Sequence, residues 1–351
     1  MQLEICAGQF ILFSSQRDDT PLTEKVGPKL AKLTETKMGG TSSKSAPSTT
    51  PPTRLSTPPT RLSTPPTRLS TPGPSPELVT PWRPVNWSEK EEILKDLEDL
   101  KPQLGPLRIL LYGPIGAGKS CFINSVQRAL IGRNSICALE GATETGQSFT
   151  TTIKTHKIKK HGGGHYPFVF SDIMGLEINK EGIHTEDIVK VLEGRILDNY
   201  RFNPRGPITE NDQKYNSYPK PCDKVHCLVS IVPADAITRI DQSVIDKMKA
   251  VREKASELNI PQVIVLTKVD KACEIVNRDL RKLYHSRKIK EKTQHSSNNL
   301  GIPVNSIYPL KNYHEEITQN ADIDLIILMA LRDIFNFAND YAEATYEPSN
   351  N

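Results

Sequence analysis

A single α/β domain on a mostly parallel sheet, preceded by an irregular proline-rich stretch, is the architecture this 351-residue sequence predicts. Three observations predict it. An apolar run from Leu107 to Tyr112 breaks at Gly113 and passes through a glycine-rich turn into a helical pattern. Downstream, strand-length apolar runs alternate with helix-length amphipathic ones, which calls for right-handed crossovers and helices on both faces of the sheet. Prolines number 27, too many for one compact domain, and they concentrate in the first 80 residues.

Composition narrows the classes. Residues 1–80 carry nine Lys/Arg and six Asp/Glu, and the remainder carries 36 and 35. So nearly neutral a remainder argues against stable nucleic-acid binding, which rests on phosphate neutralisation. The six cysteines include no CxxC pair, which suggests free thiols in a reducing compartment. Cys222, His226 and Cys227 lack a fourth zinc ligand, so Cys227 reads as a buried thiol in an apolar strand. The N-terminus has no basic leader, and no apolar run reaches the 18 residues of a membrane span. The expectation is a soluble, cytoplasmic protein without a transmembrane segment.

In chain order, residues 1–80 read as a disordered tail. Within it Thr-Pro-Pro-Thr-Arg-Leu-Ser occurs at 50–56, 57–63 and 64–70, and the paired prolines exclude a coiled coil. The folded domain is expected over 81–345, with a flexible C-terminus at 346–351. Ser88 and Glu91 have capping-box spacing ahead of Ile93, Leu94, Leu97 and Leu100. After the glycine turn come strands at 153–159 and 168–171, joined by His161-Gly-Gly-Gly-His165 as a hairpin that adds one antiparallel strand. A helix around 183–196 follows, then a loop of roughly 25 residues. Next are a strand at 225–232, a helix at 241–258 and a strand at 263–267. A basic helical stretch over 273–292, a short strand at 302–307 and a helix at 322–338 complete the pattern. The basic stretch reads as a solvated helix face because Glu274, Asp279 and Glu291 dilute it.

The chemistry gathers at four places. Gly113-Pro114-Ile115-Gly116-Ala117-Gly118-Lys119-Ser120, followed by Cys121, has the spacing of a phosphate-binding loop between strand and helix. Backbone amides curl inward there, Lys119 offers charge to the β- and γ-phosphates, and the Ser120 hydroxyl is a hard ligand for Mg²⁺. Asp172 ends a predicted strand, where its carboxylate holds Mg²⁺ through water and the Gly175 amide meets a γ-phosphate. Thr151 is the candidate to complete the metal shell and sense the γ-phosphate, with Thr150 and Thr152 as alternatives. Thr267-Lys268-Val269-Asp270 chooses the base. Guanine presents N1–H and N2–H₂ side by side to the Asp270 carboxylate, whereas adenine presents an acceptor at N1. Lys268 lays its methylene stem over the ring, and Thr267 stands where many GTPases place Asn. Ser306 and Ile307 are expected at a strand end where a backbone amide meets the guanine oxygen. Together these predict GTP or GDP with Mg²⁺ on a P-loop GTPase-like fold.

More narrowly, Pro81-Trp-Arg-Pro84, Leu110–Ser120, Ser148-Phe-Thr-Thr151, Asp172-Ile-Met-Gly-Leu176, Tyr200-Arg-Phe-Asn-Pro204 and Pro309-Leu-Lys-Asn-Tyr313 resemble the interferon-induced protein 44 family. The resemblance covers about 81–345. It implies a cytoplasmic, interferon-inducible GTP-binding protein of innate antiviral defence. The family's longer members carry an N-terminal TLDc domain, and here the proline-rich stretch stands in that place. Leu176 occupies the position where many GTPases orient the attacking water, and Ile115 crowds an incoming arginine finger. Hydrolysis is therefore expected to be slow or partner-assisted, in a switch acting through self-association or a protein partner. The alternative is an interaction scaffold that uses nucleotide only for stability.

Overall fold

The computed structural model describes residues 75–138, 151–178 and 182–345. The tail repeats, Ser148–Thr150 and the C-terminal 346–351 lie outside the described residues. Six strands form one sheet: β1 (Leu107–Tyr112), β2 (Lys154–Lys159), β3 (His165–Asp172), β4 (Cys227–Pro233), β5 (Gln262–Thr267) and β6 (Ile307–Pro309). Their order is β2-β3-β1-β4-β5-β6, and every pair is parallel except β2 with β3. The Val/Ile/Leu-rich strands β1, β4 and β5 lie in the middle, almost wholly buried, as a sheet covered on both faces requires. The β2–β3 hairpin turns on Gly162, Gly163 and Gly164, all at positive φ, a backbone that three successive side-chain-bearing residues would not adopt.

The eight α-helices described are α1 (Lys90–Asp99), α2 (Lys119–Ile131), α3 (Thr185–Leu192), α4 (Gln242–Glu257), α5 (Val269–Ala272), α6 (Glu274–Arg278), α7 (Arg287–Leu300) and α8 (Ala321–Thr345). One group, α1, α2 and α8, packs together, and α4 packs against both α3 and α7. The apolar run 325–331 is buried in α8. Phe335 of that helix stacks on Phe168 of β3 with ring centroids 3.7 Å apart, and Phe122 of α2 meets Phe170 edge-on at 6.0 Å. The first contact holds α8 and the second holds α2, the helix that follows the glycine turn, against the sheet. Among the described residues, no helix is long and apolar enough to cross a membrane.

Four elements depart from the sequence pattern. The Ser88–Glu91 capping box does not form, and α1 begins at Lys90 without a side-chain cap. Asn86 is the reason, because its Oδ1 takes the Ser88 N–H at 3.2 Å and draws Ser88 into the preceding turn. The basic stretch over 273–292 is not one helix. Asp279 caps the Arg281 N–H and Ser286 caps that of Ile289, so each resets the backbone. The strand expected at 302–307 lies at Ile307–Pro309, after a 3₁₀ turn at Val304–Ser306. The last helix runs on to Thr345.

Contacts begin ahead of residue 81. Leu78 donates to the His285 carbonyl at 2.8 Å, Arg287 donates to that of Pro76 at 3.1 Å, and Lys282 pairs with Glu77 at 2.6 Å. At the other end of β4, His226 is buried and its Nδ1 accepts the Arg108 N–H at 2.8 Å. Burial, with the charge of Arg108 adding to it, pushes this imidazole down to about 4, so it is neutral at pH 7. Cys227 beside it is buried, which pushes its thiol up.

Candidate functional site

The carboxyl ends of β1, β3, β4 and β5 converge on the turn between β1 and α2. Gly113 opens the turn at φ 146°, and a Cβ there would stand 2.2 Å from the Ile231 carbonyl oxygen on β4. Only glycine allows the loop to lie this close to the neighbouring strand. Gly118, at φ 95°, is the N-cap of α2 and brings no side-chain bond to the helix. The first-turn N–H groups of a 13-residue helix, with no acidic residue among them, thus face the loop without a side-chain cap.

Lys119 folds back over this turn and donates to the carbonyls of Gly113 and Pro114, both at 3.2 Å. It is buried, which pulls its pKa down, while the charge of Asp172 works in the opposite direction. Ser120 Oγ donates to Asp172 Oδ2 at 2.8 Å, closing the gap between α2 and the end of β3. Asp172 is 2% exposed, and its Oδ1 is buried without a hydrogen-bond partner. Burial raises its pKa, with Lys119 and Ser120 pulling it back. A hydroxyl and a carboxylate with one unsatisfied oxygen form a hard donor set that fits Mg²⁺.

Gly175 and Leu176 run alongside the same loop. Leu176 donates to the Gly113 carbonyl at 3.0 Å and accepts from the Ile115 N–H at 3.3 Å. A Cβ on Gly175 would stand 2.7 Å from Ile115 Cγ1 and 2.8 Å from Ile115 Cα. Leu176 itself is buried. Thr151 is exposed just ahead of β2, and its carbonyl accepts the Phe202 N–H at 3.1 Å. No hydrogen bond among the described residues joins it to Ser120 or Asp172. Its neighbour Thr150 lies outside the described residues.

On the other side, β5 ends at Thr267, whose buried hydroxyl donates to the Ala117 carbonyl at 2.7 Å and approaches that of Val232 at 3.3 Å. Lys268 follows in the left-handed region at φ 58°, turning the chain so that Asp270 falls in the first turn of α5, half-buried.

Ser306 and Ile307 do not join this constellation. The parallel register pairs Ile264 with Ile307 and Leu266 with Pro309, so Ile307 begins β6 and Ser306 precedes it. Ile307 thus lies level with Ile264, three residues short of Thr267 along β5, and Ser306 lies before it. The segment that reaches the loop is the one leaving β6. Asn312 Nδ2 donates to the Gly118 carbonyl at 3.3 Å, and the Tyr313 N–H donates to Ser125 Oγ on α2 at 3.0 Å. Both belong to the Pro309–Tyr313 motif quoted for the family resemblance, but neither was a candidate for the site. The signal was the parallel pairing itself, in which the carboxyl end of a short edge strand must lie beside the carboxyl end of β5.

Strand ends, glycine turn, buried lysine and Ser–Asp pair define a phosphate-loop α/β domain. Human interferon-induced protein 44 is 34% identical over 238 residues, 68% of this chain and 53% of that protein. The mouse protein is 32% identical over 255 residues, 72% of this chain and 60% of its own length. Human interferon-induced protein 44-like is 30% identical over 259 residues, 72% and 57%. Over this region the chain belongs to the interferon-induced protein 44 family. It spans little more than half the length of these curated relatives. No family model matches the chain. Solved structures with 13% identity include a probable GTP-binding protein engB (TM-score 0.35, 66% of this chain and 99% of that one). Translation elongation factor SelB from Methanococcus maripaludis has a TM-score of 0.34, over 68% of this chain and 34% of that one.

Proposed function

We propose that the chain binds GTP and GDP with Mg²⁺ and serves as a guanine-nucleotide switch in a cytoplasmic, interferon-related antiviral response. The observation that carries this reading is the convergence on one loop of a phosphate side and a base side. Lys119, Ser120 and Asp172 flank the loop on one side. Thr267 is tied to it on the other, three residues ahead of Asp270. Asp270 accepts the paired N–H groups of guanine and repels the adenine N1 acceptor. Ser120 and Asp172 would hold the metal, which supplies positive charge to the phosphate oxygens when bound. Lys119 neutralises phosphate charge from the same side, and its loss of solvent strengthens that attraction.

Hydrolysis is the weak step in this reading. Leu176 has no polar atom with which to orient water, and its backbone is engaged with the loop. That observation favours a second reading, in which nucleotide stabilises an interaction scaffold without appreciable turnover. Calorimetric titration with GTP, GDP and ATP in the presence of Mg²⁺ tests the binding proposal. Tight GTP and GDP binding with at least tenfold weaker ATP is expected, and preference for ATP or no binding overturns it. Turnover measured across a range of protein concentrations separates the two readings. Hydrolysis that rises with self-association supports the switch, and none at any concentration supports the scaffold.

A further inference from the structure

Two successive carbonyls of the phosphate loop, those of Ala117 and Gly118, are each met by a side chain from a different strand end. Thr267 at the end of β5 takes the first at 2.7 Å, and Asn312 after β6 takes the second at 3.3 Å. The two side chains are neighbours. Thr267 Oγ1 and Asn312 Nδ2 both lie within 4 Å of the point where a Cβ on Gly118 would stand, at 3.9 and 3.1 Å.

The arithmetic of donors explains why two residues are needed. A threonine hydroxyl has one proton, and here it is spent on Ala117 with Val232 as a second, longer acceptor. A carboxamide has two N–H donors and an acceptor, so an asparagine at position 267 would have the capacity to hold the loop and still address the ligand. This chain lacks that residue, and Asn312 brings a carboxamide to the same place from the next strand. Asn312 Oδ1 is buried without a partner, a state that an arriving N–H group relieves.

We infer that Asn312 is a positioning residue for nucleotide affinity, dividing with Thr267 the work of one carboxamide at the base side of the loop. The inference rests on the guanine-nucleotide reading above. Its role is to hold the Gly118 carbonyl, and with it the start of α2, in the arrangement that receives the ligand before it arrives.

The test is a double-mutant cycle on the full chain, using GDP and GTP as probes. Asn312→Ala should weaken both about tenfold, chiefly through faster dissociation. Adding Thr267→Asn in that background should bring affinity back to within about threefold of wild type, because the carboxamide is returned from the other strand. A structural defect at Asn312 would not be repaired by a change at 267. Asn312→Asp keeps the shape but sets a carboxylate oxygen against the Gly118 carbonyl, so it should bind more weakly than Asn312→Ala. Melting by circular dichroism checks that each variant folds, and Asn312→Asp stands in if the alanine variant does not. Wild-type affinity in Asn312→Ala, or no recovery in the double variant, overturns the inference while leaving guanine binding intact. No guanine-nucleotide binding by the wild type instead removes the functional reading, and this inference falls with it.

Discussion

The phosphate side and the base side of the loop are held together in different ways. On the phosphate side one contiguous stretch closes on itself and is tied to the end of β3 and the residues just after it. Lys119 returns to the carbonyls five and six residues behind it, Asp172 reaches Ser120 from the end of β3, and the Leu176 backbone joins from the segment that follows. On the base side the ties come from two strand ends separated by more than forty residues, each through a single side chain on a loop carbonyl. A self-closed turn has one workable composition, because every atom is both scaffold and contact. An arrangement assembled from separate strand ends can exchange residues between them, as Thr267 and Asn312 do here.

That contrast predicts how each side fails. Lys119→Ala removes charge-assisted contacts that every nucleotide uses, a loss of about 3–6 kcal/mol, so GTP, GDP and other phosphates should weaken together by about 150- to 25,000-fold. Asp270→Asn should weaken GTP by about 30- to 1000-fold, from roughly 2–4 kcal/mol, and should shift preference toward xanthosine triphosphate. Its amide presents a donor to the carbonyl that replaces the guanine amino group. Competition binding against a panel of nucleotides measures both. If Lys119→Ala discriminates among bases, or Asp270→Asn weakens all of them alike, the division into two sides is wrong.

A smaller effect probes how closely the phosphate side is packed. Gly175→Ala places a methyl against Ile115 Cγ1 and against the Ile115 backbone. Overpacking of this kind costs about 1–3 kcal/mol, visible as a lower denaturation midpoint. Adding Ile115→Ala should recover only part of it, since Ile115 Cα and N, at 2.8 and 3.0 Å, are also in the way. Full recovery would show that the side chain alone sets the spacing between Gly175 and the loop.

The same contrast decides what could be read from the sequence. Parallel β1, β3, β4 and β5, the hairpin and the loop from Gly113 to Ser120 were legible because each is encoded in adjacent residues with a period or a spacing. Ser120 and Asp172 could be named as candidates for one metal because both sit at predicted element ends, but their direct hydrogen bond was not foreseen. The role of Asn312 was not legible, although the motif that holds it was quoted for the family resemblance. β6 has only three residues, too few for alternation to show, and the preceding Val304–Ser306 turn looks equally apolar at its edges. Ending the strand two residues early, at 307 instead of Pro309, made Ser306 and Ile307 the candidates. The capping box failed for a related reason, since nothing in its spacing reveals that Asn86 competes for Ser88.

Acid should pull the two sides apart in opposite directions. On the base side, Glu316 follows Asn312 and Tyr313, and it bonds Lys311 at 2.6 Å and the His314 N–H at 3.0 Å. Burial alone would raise its pKa, but these partners and its own N–H outweigh that and lower it from 4.5 to about 2. The folded state thus binds fewer protons than the unfolded one between those values. The stabilisation is full above pH 4.5 and is lost as pH falls toward 2. After screening it is worth about 1–2 kcal/mol, so Glu316→Gln should melt below wild type at pH 7, with the gap closing in acid. On the phosphate side, Asp172 is raised from 3.8 by burial. Here the folded state binds more protons, so in nucleotide-free protein this group adds stability as pH falls through its raised pKa, levelling off below 3.8. Asp172→Asn should therefore be more stable than wild type at pH 7 while losing Mg²⁺-dependent tightening of GTP binding. Calorimetric melting of both variants at pH 7, 5 and 3 measures the two slopes. If they share a sign, the unpartnered Asp172 oxygen is not the strained atom on the phosphate side.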